Sequence, residues 1–258
     1  MKCWQILLIG ILSVSCIAIG YSLYNYYAPP AERQAYKIPH HYDDTLRITY
    51  IGDSWAALHK EHHCIIAQMI SERTRRPVKV ISYGLHGKTS KEIYESLFEH
   101  HDMRNLMEQG CDFCFISAGI NDTYKKMSSE YYKTSINCII QFLLNNHIRP
   151  IILEIPDYDI QKAYNRQKLS RLWLRRFSKY VTSTPVDCKN EFRNTLKELI
   201  VEKKYQNTID LIGYQEWNRH YFEDLQIYYA EDGMHLNQKG YEILDSCIAL
   251  HIIKQMNQ

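Results

Sequence analysis

The sequence predicts an α/β protein whose parallel sheet is covered by helices on both faces. Short runs rich in β-branched and aromatic residues alternate with longer segments whose apolar residues recur at helical spacing. The first of these runs, Ile48–Ile51, is apolar enough for a buried strand and ends abruptly in Gly52-Asp53-Ser54. Polar and glycine-containing stretches follow other predicted strands and open helices. Alternation of this kind is typical of a parallel sheet.

The predicted elements follow one another closely along the chain. The predicted strands are Leu46–Ile51, Val78–Tyr83, Asp112–Ser117, Ile151–Ile155 and Thr208–Ile212. The predicted helices are Ala56–Glu72, Ser90–Glu108, Ser129–Asn146, Ala163–Tyr180, Asn190–Lys203 and Gln238–Ile253. Proline lacks the amide hydrogen that a helix needs, so Arg149-Pro150 marks the end of the third helix.

The N-terminal segment is a candidate membrane helix. Cys3–Tyr24 is almost uncharged and approaches the roughly 20 residues that a span needs. It is either an uncleaved signal anchor or a cleaved signal peptide. The apolar run continues past the small residues at Cys16-Ile17-Ala18, which favours the anchor. We therefore expect an anchor at 1–24, a linker at 25–44 with tyrosines at headgroup level, and one domain at 45–258.

Composition limits the possible partners. The chain has 258 residues, 45% of them hydrophobic and 23% charged, which is enough for a complete core. A net charge of +2 argues against a general nucleic-acid binder. We expect a monomer that binds no nucleic acid.

Four short stretches carry candidate functional residues. Each has an ordinary structural explanation, since Asp, Ser and Asn cap helices and form turns. Together and in this order they resemble the SGNH hydrolases, also called GDSL esterases and lipases, over residues 45–256. Trp55 stands where the family's name implies leucine. The stretches are Gly52-Asp53-Ser54-Trp55, Ser82–Ser90 with Gly87, Ser117–Asp122 with Asn121, and Glu231–Asn237 with Asp232 and His235.

The resemblance implies a flavodoxin-like three-layer α/β/α sandwich and a serine nucleophile. The Ser54 hydroxyl is a weak nucleophile until a base takes its proton, and His235 is the natural base. Asp232, three residues before His235, can orient the imidazole and fix its tautomer. The chemistry needs no metal and no organic cofactor.

An ester hydrolase also needs donors for the developing oxyanion. The resemblance assigns them to the backbone amides of Ser54 and Gly87 and to the side-chain amide of Asn121. Gly87 is preferred over Gly84 because a polar residue and then a threonine follow it, as in the family.

Further residues are candidates for the substrate pocket. Asp53 and Trp55 flank the nucleophile, and His59 follows one turn later on a helix that also carries His62 and His63. Trp217 belongs to an aromatic cluster before Asp232, part of which must be core and part of which could stack on a sugar. The cluster is Tyr214, Trp217, Tyr221, Phe222, Tyr228 and Tyr229.

Two other patterns have competing explanations. Cys111-x-x-Cys114 has zinc or redox spacing but lacks a second ligand pair, so we expect no metal there. Gln161–Tyr180 carries seven basic residues, from Lys162 to Lys179, and no acid. It is either a solvated helix face or a surface for anionic lipid or anionic polysaccharide.

The expected function is hydrolysis of acyl esters. The membrane segment and the aromatic residues favour O-acetyl groups on a cell-surface or exported carbohydrate, with the enzyme outside the cytoplasm, at the cell surface or in the periplasm. The bulk of Trp55 predicts short acyl groups. Alternatives are a lipid esterase or lysophospholipase, and an O-acyltransferase with the same residues. A glycan-binding module without turnover is disfavoured by the complete set of candidate residues.

Overall fold

The fold is built on five parallel strands. The computed structural model describes residues 3–59, 64–165 and 187–256. The strands lie in the order β2-β1-β3-β4-β5, and every neighbouring pair is parallel. Gly52 lies beside both Gly84 and Ser117, so β1, β2 and β3 reach the same level at their carboxyl ends. The strands are β1 (Leu46–Gly52), β2 (Val78–Gly84), β3 (Phe113–Ser117), β4 (Arg149–Leu153) and β5 (Asp210–Ile212).

Helices form a layer on each face of this sheet. The described helices are α1 (Cys3–Tyr27), α2 (Ser54–His59), α3 (Cys64–Thr74), α4 (Ser90–Glu99), α5 (His101–Glu108), α6 (Ile120–Lys125), α7 (Ser129–Asn145), α8 (Ile160–Asn165), α9 (Lys189–Glu202), α10 (Tyr214–Trp217), α11 (Tyr221–Tyr228) and α12 (Gln238–Met256). One layer packs α3 against α12, and the other packs α4, α7 and α9 side by side. The predicted three-layer sandwich is confirmed.

Two glycines allow the sheet to approach its neighbours closely. A Cβ atom on Gly84 would lie 2.0 Å from the backbone nitrogen of Ala57. One on Gly52 would lie 2.3 Å from the carbonyl oxygen of Ser117. Because only glycine lacks a Cβ, these positions let α2 begin directly against β2 and let β1 end against β3.

Several predicted helices are divided or displaced. The predicted helix Ala56–Glu72 is α2 and α3, with residues 60–63, including His62 and His63, outside the described range. The predicted helix Ser90–Glu108 breaks at His100, whose backbone is extended at φ −94° and ψ 114°. Of the basic stretch Gln161–Tyr180, only the part up to Asn165 is described, in α8; residues 166–186 lie outside the described range. Helix α6 was not predicted.

The chain before β1 has two parts. Helix α1 extends three residues beyond the predicted end, and its candidate membrane span, Leu8–Tyr27, has no buried residue. Residues 28–44, here called the strap, cross the outside of α4 and α7 without regular secondary structure. The strap is more than a spacer: the Tyr36 ring contacts Phe98 and Phe142 edge-on, with centroids 5.8 and 5.1 Å away. Tyr36 therefore packs on the domain, not at headgroup level as predicted.

Candidate active site

The four stretches singled out in the sequence meet at the carboxyl edge of the sheet. Ser54 begins α2 directly after β1, and Gly87 lies in the loop after β2. Asn121 lies in the first turn of α6, two residues after Gly119, which has φ +114°. The fourth stretch, between α11 and α12, folds over the same edge and supplies Asp232 and His235. Parallel strands that end at one level bring residues far apart in sequence together.

Ser54, His235 and Asp232 form a continuous hydrogen-bonded chain. Ser54 Oγ and His235 Nε2 are 2.8 Å apart, and His235 Nδ1 and Asp232 Oδ2 are 2.5 Å apart. Because a carboxylate only accepts, Nδ1 donates to it and Nε2 is left to accept the serine proton. Burial raises the pKa of the Asp232 carboxyl, but hydrogen bonds from the His235 ring and from two backbone amides outweigh burial and hold that pKa well below its usual range.

Several hydrogen bonds fix the loop that carries Asp232 and His235. Asp232 Oδ1 accepts 2.9 Å hydrogen bonds from the amides of Met234 and His235. The Tyr221 hydroxyl donates to the Gly233 carbonyl at 2.6 Å and accepts from the Asp159 amide at 2.8 Å. The loop is therefore positioned by residues that were not assigned this role from the sequence. Tyr221 was visible there only as one member of an aromatic cluster.

The predicted oxyanion donors border one cavity. Gly87 has φ +70° and open space where a Cβ would stand, whereas Gly84 is enclosed by backbone. The Asn121 side chain is buried, and its Nδ2 donates to Asp53 Oδ2 at 3.1 Å. An amide group carries two N–H donors, so the second remains for a ligand. The cavity has a volume of about 320 Å³. Its described lining residues are Ser54, His86, Gly87, Asn121, Tyr124, Ala163, Asp232, Met234 and His235.

Asp53 lies behind this wall. It was predicted as a pocket residue, but its side chain is fully buried and does not line the cavity. Asp53 Oδ1 accepts from the Trp55 amide at 3.0 Å and Oδ2 accepts from Asn121. Burial raises the pKa of Asp53 to about 7, against the hydrogen bonds that lower it. Asp53 thus orients the Asn121 amide.

A second buried carboxyl joins the two segments that carry the candidate oxyanion donors Gly87 and Asn121. Asp122 accepts hydrogen bonds from the Ser90 amide at 2.8 Å and from the Ser90 hydroxyl at 2.5 Å. Burial raises the pKa of Asp122 to about 6. Ser90 is three residues after Gly87, and Asp122 directly follows Asn121. Both residues stood inside the stretches recognised in the sequence, but nothing there paired them.

Three other predicted pocket residues lie elsewhere. Trp55 is completely buried: the turn of α2 that places Ser54 on the cavity wall directs the next residue into the core. The Trp55 ring contacts Trp217, with 5.6 Å between ring centroids. His59 is also fully buried and hydrogen bonds with Asp245 on α12. Trp217 lines a separate small cavity with Asn218 and Tyr228. These three predictions are wrong, and the argument from Trp55 to short acyl groups loses its basis.

The aromatic cluster before Asp232 does not line the described cavity either. Tyr221 and Tyr229 are core residues, and Phe222 is 82% exposed on α11. The aromatic ring that does line the cavity is Tyr124, on α6, which stacks on Tyr164 with centroids 5.4 Å apart. The sequence offered no pattern that distinguishes Tyr124 from other tyrosines.

The described groups that could hold a metal lie away from Ser54, His235 and Asp232. Among the described residues, Glu216, Cys247 and His251 are close enough to share an ion. However, the hydrogen bond to Asp210 raises the pKa of His251 to about 11, so a proton occupies the nitrogen that faces Glu216. Burial raises the pKa of the Cys111 thiol to about 12, which opposes the thiolate that a metal needs.

Known structures share this architecture at low sequence identity. A lipase/acylhydrolase from Enterococcus faecalis aligns with TM-score 0.60 and 18% identity over 81% of this chain and 96% of that one. A GDSL-like lipase from Bacteroides thetaiotaomicron aligns with TM-score 0.53 and 16% identity over 81% and 88%. An acetyl xylan esterase, AlAXEase, aligns with TM-score 0.55 and 15% identity over 79% and 98%. The chain has the SGNH hydrolase fold.

No family model and no curated protein matches the sequence. The SGNH hydrolase fold is therefore recognised from the order of the four stretches and from the tertiary structure. Ser54, Gly87 and Asn121 follow three different strands. They border one cavity because those strands are neighbours in the sheet and end at the same edge.

Proposed function

We propose that this protein is a serine ester hydrolase that removes short acyl groups, chiefly O-acetyl groups, from a carbohydrate. The observation that carries the proposal is the chain of hydrogen bonds from Ser54 Oγ through His235 to Asp232, at 2.8 and 2.5 Å. In this arrangement a serine hydroxyl is hydrogen-bonded to a base, and a carboxylate orients that base. Acyl transfer by a serine nucleophile requires such an arrangement.

In the proposed reaction, Ser54 Oγ attacks the ester carbonyl carbon while its proton passes to His235 Nε2. The tetrahedral intermediate collapses when His235 returns that proton to the leaving alcohol, and the acyl group stays on Ser54. Water then attacks this acyl-enzyme and gives its proton to His235. The bond between the acyl carbon and Ser54 Oγ breaks, His235 returns the proton to Ser54 Oγ, and the carboxylic acid leaves. Asp232 stays ionised throughout and stabilises the imidazolium, in keeping with its lowered pKa.

The negative oxygen of each tetrahedral intermediate needs fixed donors. We assign these to the amides of Ser54 and Gly87 and to Asn121 Nδ2. Support comes from the open space at Gly87, the position of Asn121 on the cavity wall, and the placement of Ser54 at the beginning of α2, where unpaired amides favour negative charge.

The substrate class is inferred from the cavity. Most of its described lining residues carry a polar group, although the larger part of the lining surface is apolar. A volume of about 320 Å³ is near the lower end for ligand pockets. Both features suit a small acyl group on a hydroxylated molecule, and a structural neighbour is an acetyl xylan esterase. We place the enzyme outside the cytoplasm, attached by α1.

The alternatives use the same residues. The apolar helix α1 favours a lipid ester, which would make the protein a lipid esterase or lysophospholipase. Transfer of the acyl group to a sugar hydroxyl in place of water would make it an O-acyltransferase. The part of the basic stretch beyond Asn165 lies outside the described residues, and its attraction to an anionic surface stays a prediction.

The test compares acetyl, butyryl and octanoyl esters of one alcohol, with and without sugar acceptors. We expect the acetyl ester to have the highest kcat/KM and a fluorophosphonate to label Ser54. Ser54→Ala and His235→Ala should abolish turnover without changing the melting temperature. Near wild-type turnover by Ser54→Ala would refute the mechanism. Faster octanoyl hydrolysis would favour the lipid esterase, and acyl-sugar products would favour the transferase.

A further inference from the structure

The end of the apolar helix α1 is clamped beside the cavity. The Lys91 ammonium donates to the carbonyl oxygens of Asn25 and Ala28 at 2.8 and 2.9 Å. These carbonyls belong to the last turn of α1 and the residue after it, where a helix leaves carbonyl groups unpaired and favours a cation. Pro30, two residues further on, is buried against the domain. The end of α1 therefore has a defined position on the folded domain.

That position is at the carboxyl edge of the sheet. Lys91 lies in the first turn of α4, which follows β2 and so begins where the strands end. Gly87, on the cavity wall, precedes Lys91 by four residues, which span at most about 15 Å. The candidate oxyanion donor and the end of α1 therefore lie on the same edge of the molecule.

The strap accounts for this arrangement. After the contact between Lys91 and the end of α1, here called the clamp, the strap runs along α4, where the Arg33 amide donates to the Tyr94 hydroxyl at 2.8 Å. It then reaches the end of α7, where the Ile38 amide donates to the Asn146 side chain at 2.8 Å. His41 then contacts Asp112, next to the start of β3, at 3.1 Å. The chain thus travels the full height of the domain before β1 returns it to Ser54 at the carboxyl edge.

The same end of α1 is rich in exposed tyrosines. Tyr21, Tyr24 and Tyr26 are 68%, 71% and 41% exposed. Tyrosine is enriched at the headgroup level of membranes because its ring is apolar and its hydroxyl is polar. In a membrane-inserted α1, these tyrosines mark the bilayer surface, and they lie next to the carboxyl edge of the sheet, which also carries the cavity.

We infer that the clamp and the strap hold the cavity edge against the membrane, and that the substrate is an O-acyl ester carried by a molecule anchored in that same membrane. This inference rests on the proposed esterase function and gives its substrate a location. A rigid clamp raises the effective concentration of membrane-held esters at Ser54, whereas freely diffusing esters gain nothing from it.

The test uses the full chain in vesicles and three acetyl esters. One is a soluble aryl acetate, one is a lipid with an acetylated sugar headgroup, and one is a phospholipid with an acetyl group on glycerol. The variant combines Lys91→Met with a flexible Gly/Ser insertion of about 20 residues after Ala28, which spans roughly 25 Å when disordered. Lys133→Met, which removes a 2.7 Å ion pair between Lys133 on α7 and Glu202 on α9, is the matched control.

We expect the variant to keep wild-type turnover of the soluble ester and to lose about tenfold on a membrane-held ester. The control should match wild type on all three esters. Comparing the rates on the two lipid substrates shows whether the preferred ester is on the sugar headgroup or on glycerol. Equal membrane-ester rates in variant and wild type would overturn the inference, as would removal of α1 from the mature protein. Absence of turnover on every ester, in wild type too, would instead refute the proposed function.

Discussion

At the scale of single residues, the site depends on buried carboxyls that never meet the substrate. Asp53 and Asp122 are both fully buried, and burial raises the pKa of each, to about 7 and about 6. Asp53 accepts a hydrogen bond from Asn121 and Asp122 accepts one from Ser90, so each fixes a segment that carries a candidate oxyanion donor. Preorganised donors of this kind contribute to catalysis because they need no reorganisation during the reaction.

Asn121→Ala should lower kcat by about a hundred- to a thousandfold, the usual loss for one oxyanion donor. Turnover of an aryl acetate and the melting temperature measure the two relevant effects. Asn105→Ala, an exposed asparagine on α5, is the control. A small effect on kcat in a variant with unchanged melting temperature would contradict the oxyanion role.

The raised pKa of Asp53 predicts a pH dependence of stability. The unfolded carboxyl loses its proton near pH 4, whereas the folded one keeps it until about pH 7. The unfolded state therefore binds fewer protons in this window, and the free energy of unfolding falls as pH rises from about 4 to 7. Asp53→Asn lacks this contribution, so its melting temperature should rise relative to wild type between pH 5 and pH 7.5.

The matched control for Asp53→Asn is Asp102→Asn, which changes a carboxyl whose side chain is 67% exposed. Its melting temperature should track wild type at both pH values. If the difference between Asp53→Asn and wild type is the same at pH 5 and pH 7.5, Asp53 is not a buried carboxyl with a raised pKa.

At the scale of elements, the beginning of α4 joins the cavity loop to the domain. The Thr89 amide donates to Glu92 at 3.0 Å and the Thr89 hydroxyl accepts from the Glu92 amide at 3.4 Å, which is a capping box. Lys88 and Lys125 bond to the same carboxylate at 2.8 and 3.1 Å. Gly87 therefore lies two residues before the N-cap of α4, which these hydrogen bonds hold in place.

Glu92→Ala should lower the free energy of unfolding by about 1 kcal/mol at pH 7, the usual cost of a lost cap. Burial raises the pKa of Glu92, but hydrogen bonds from Lys88 and the Thr89 amide outweigh it and lower that pKa to about 2. A lowered pKa stabilises the fold above about pH 4.5 and loses this effect as pH falls towards 2. Urea titrations at pH 7 and pH 3 measure the difference.

Glu108→Ala is the control for this prediction, because it removes an exposed ion pair to Arg104 within one helix, and such pairs contribute little. A stability loss for Glu92→Ala no larger than that of the control at pH 7 would argue against the capping box.

At the scale of the whole molecule, the strap is part of the folded domain. Tyr36 contacts Phe98 and Phe142, and its hydroxyl donates to the Leu97 carbonyl at 2.9 Å. Arg33 pairs with Glu99 at 2.5 Å near the same surface. These contacts cover the outer face of α4 and connect α1 with the sheet.

Tyr36→Ala should lower the free energy of unfolding by about 2 kcal/mol, somewhat less than for a fully buried aromatic residue. Tyr42→Ala, at a position that is 94% exposed in the same strap, should leave stability unchanged. Chemical denaturation of the full chain in detergent measures both variants. Equal stabilities for the two would indicate that the strap does not pack on α4 in solution.

Periodicity predicted the strands of the sheet, and motif order singled out Ser54, Asp232 and His235, which are joined by hydrogen bonds in the structure. Strands β1, β2 and β3 end within one residue of their predicted ends, because an apolar run bounded by glycine or serine is a local signal. The break at His100 and the short helix α6 were not predicted. Those features depend on how the elements pack against one another, and the spacing of residues along the chain carries no information about that packing.

The sequence by itself determined the fold class and singled out Ser54, Gly87, Asn121, Asp232 and His235 as candidate site residues, because their order and their places along the chain are properties of the chain alone. Only the tertiary structure decided which neighbours line the cavity. Trp55 directly follows Ser54 and His59 is on the same short helix, yet both are buried, while Tyr124 and Met234 reach the cavity from distant segments. The direction of a side chain depends on how a helix lies on the sheet, and that is settled by the packing of the whole core.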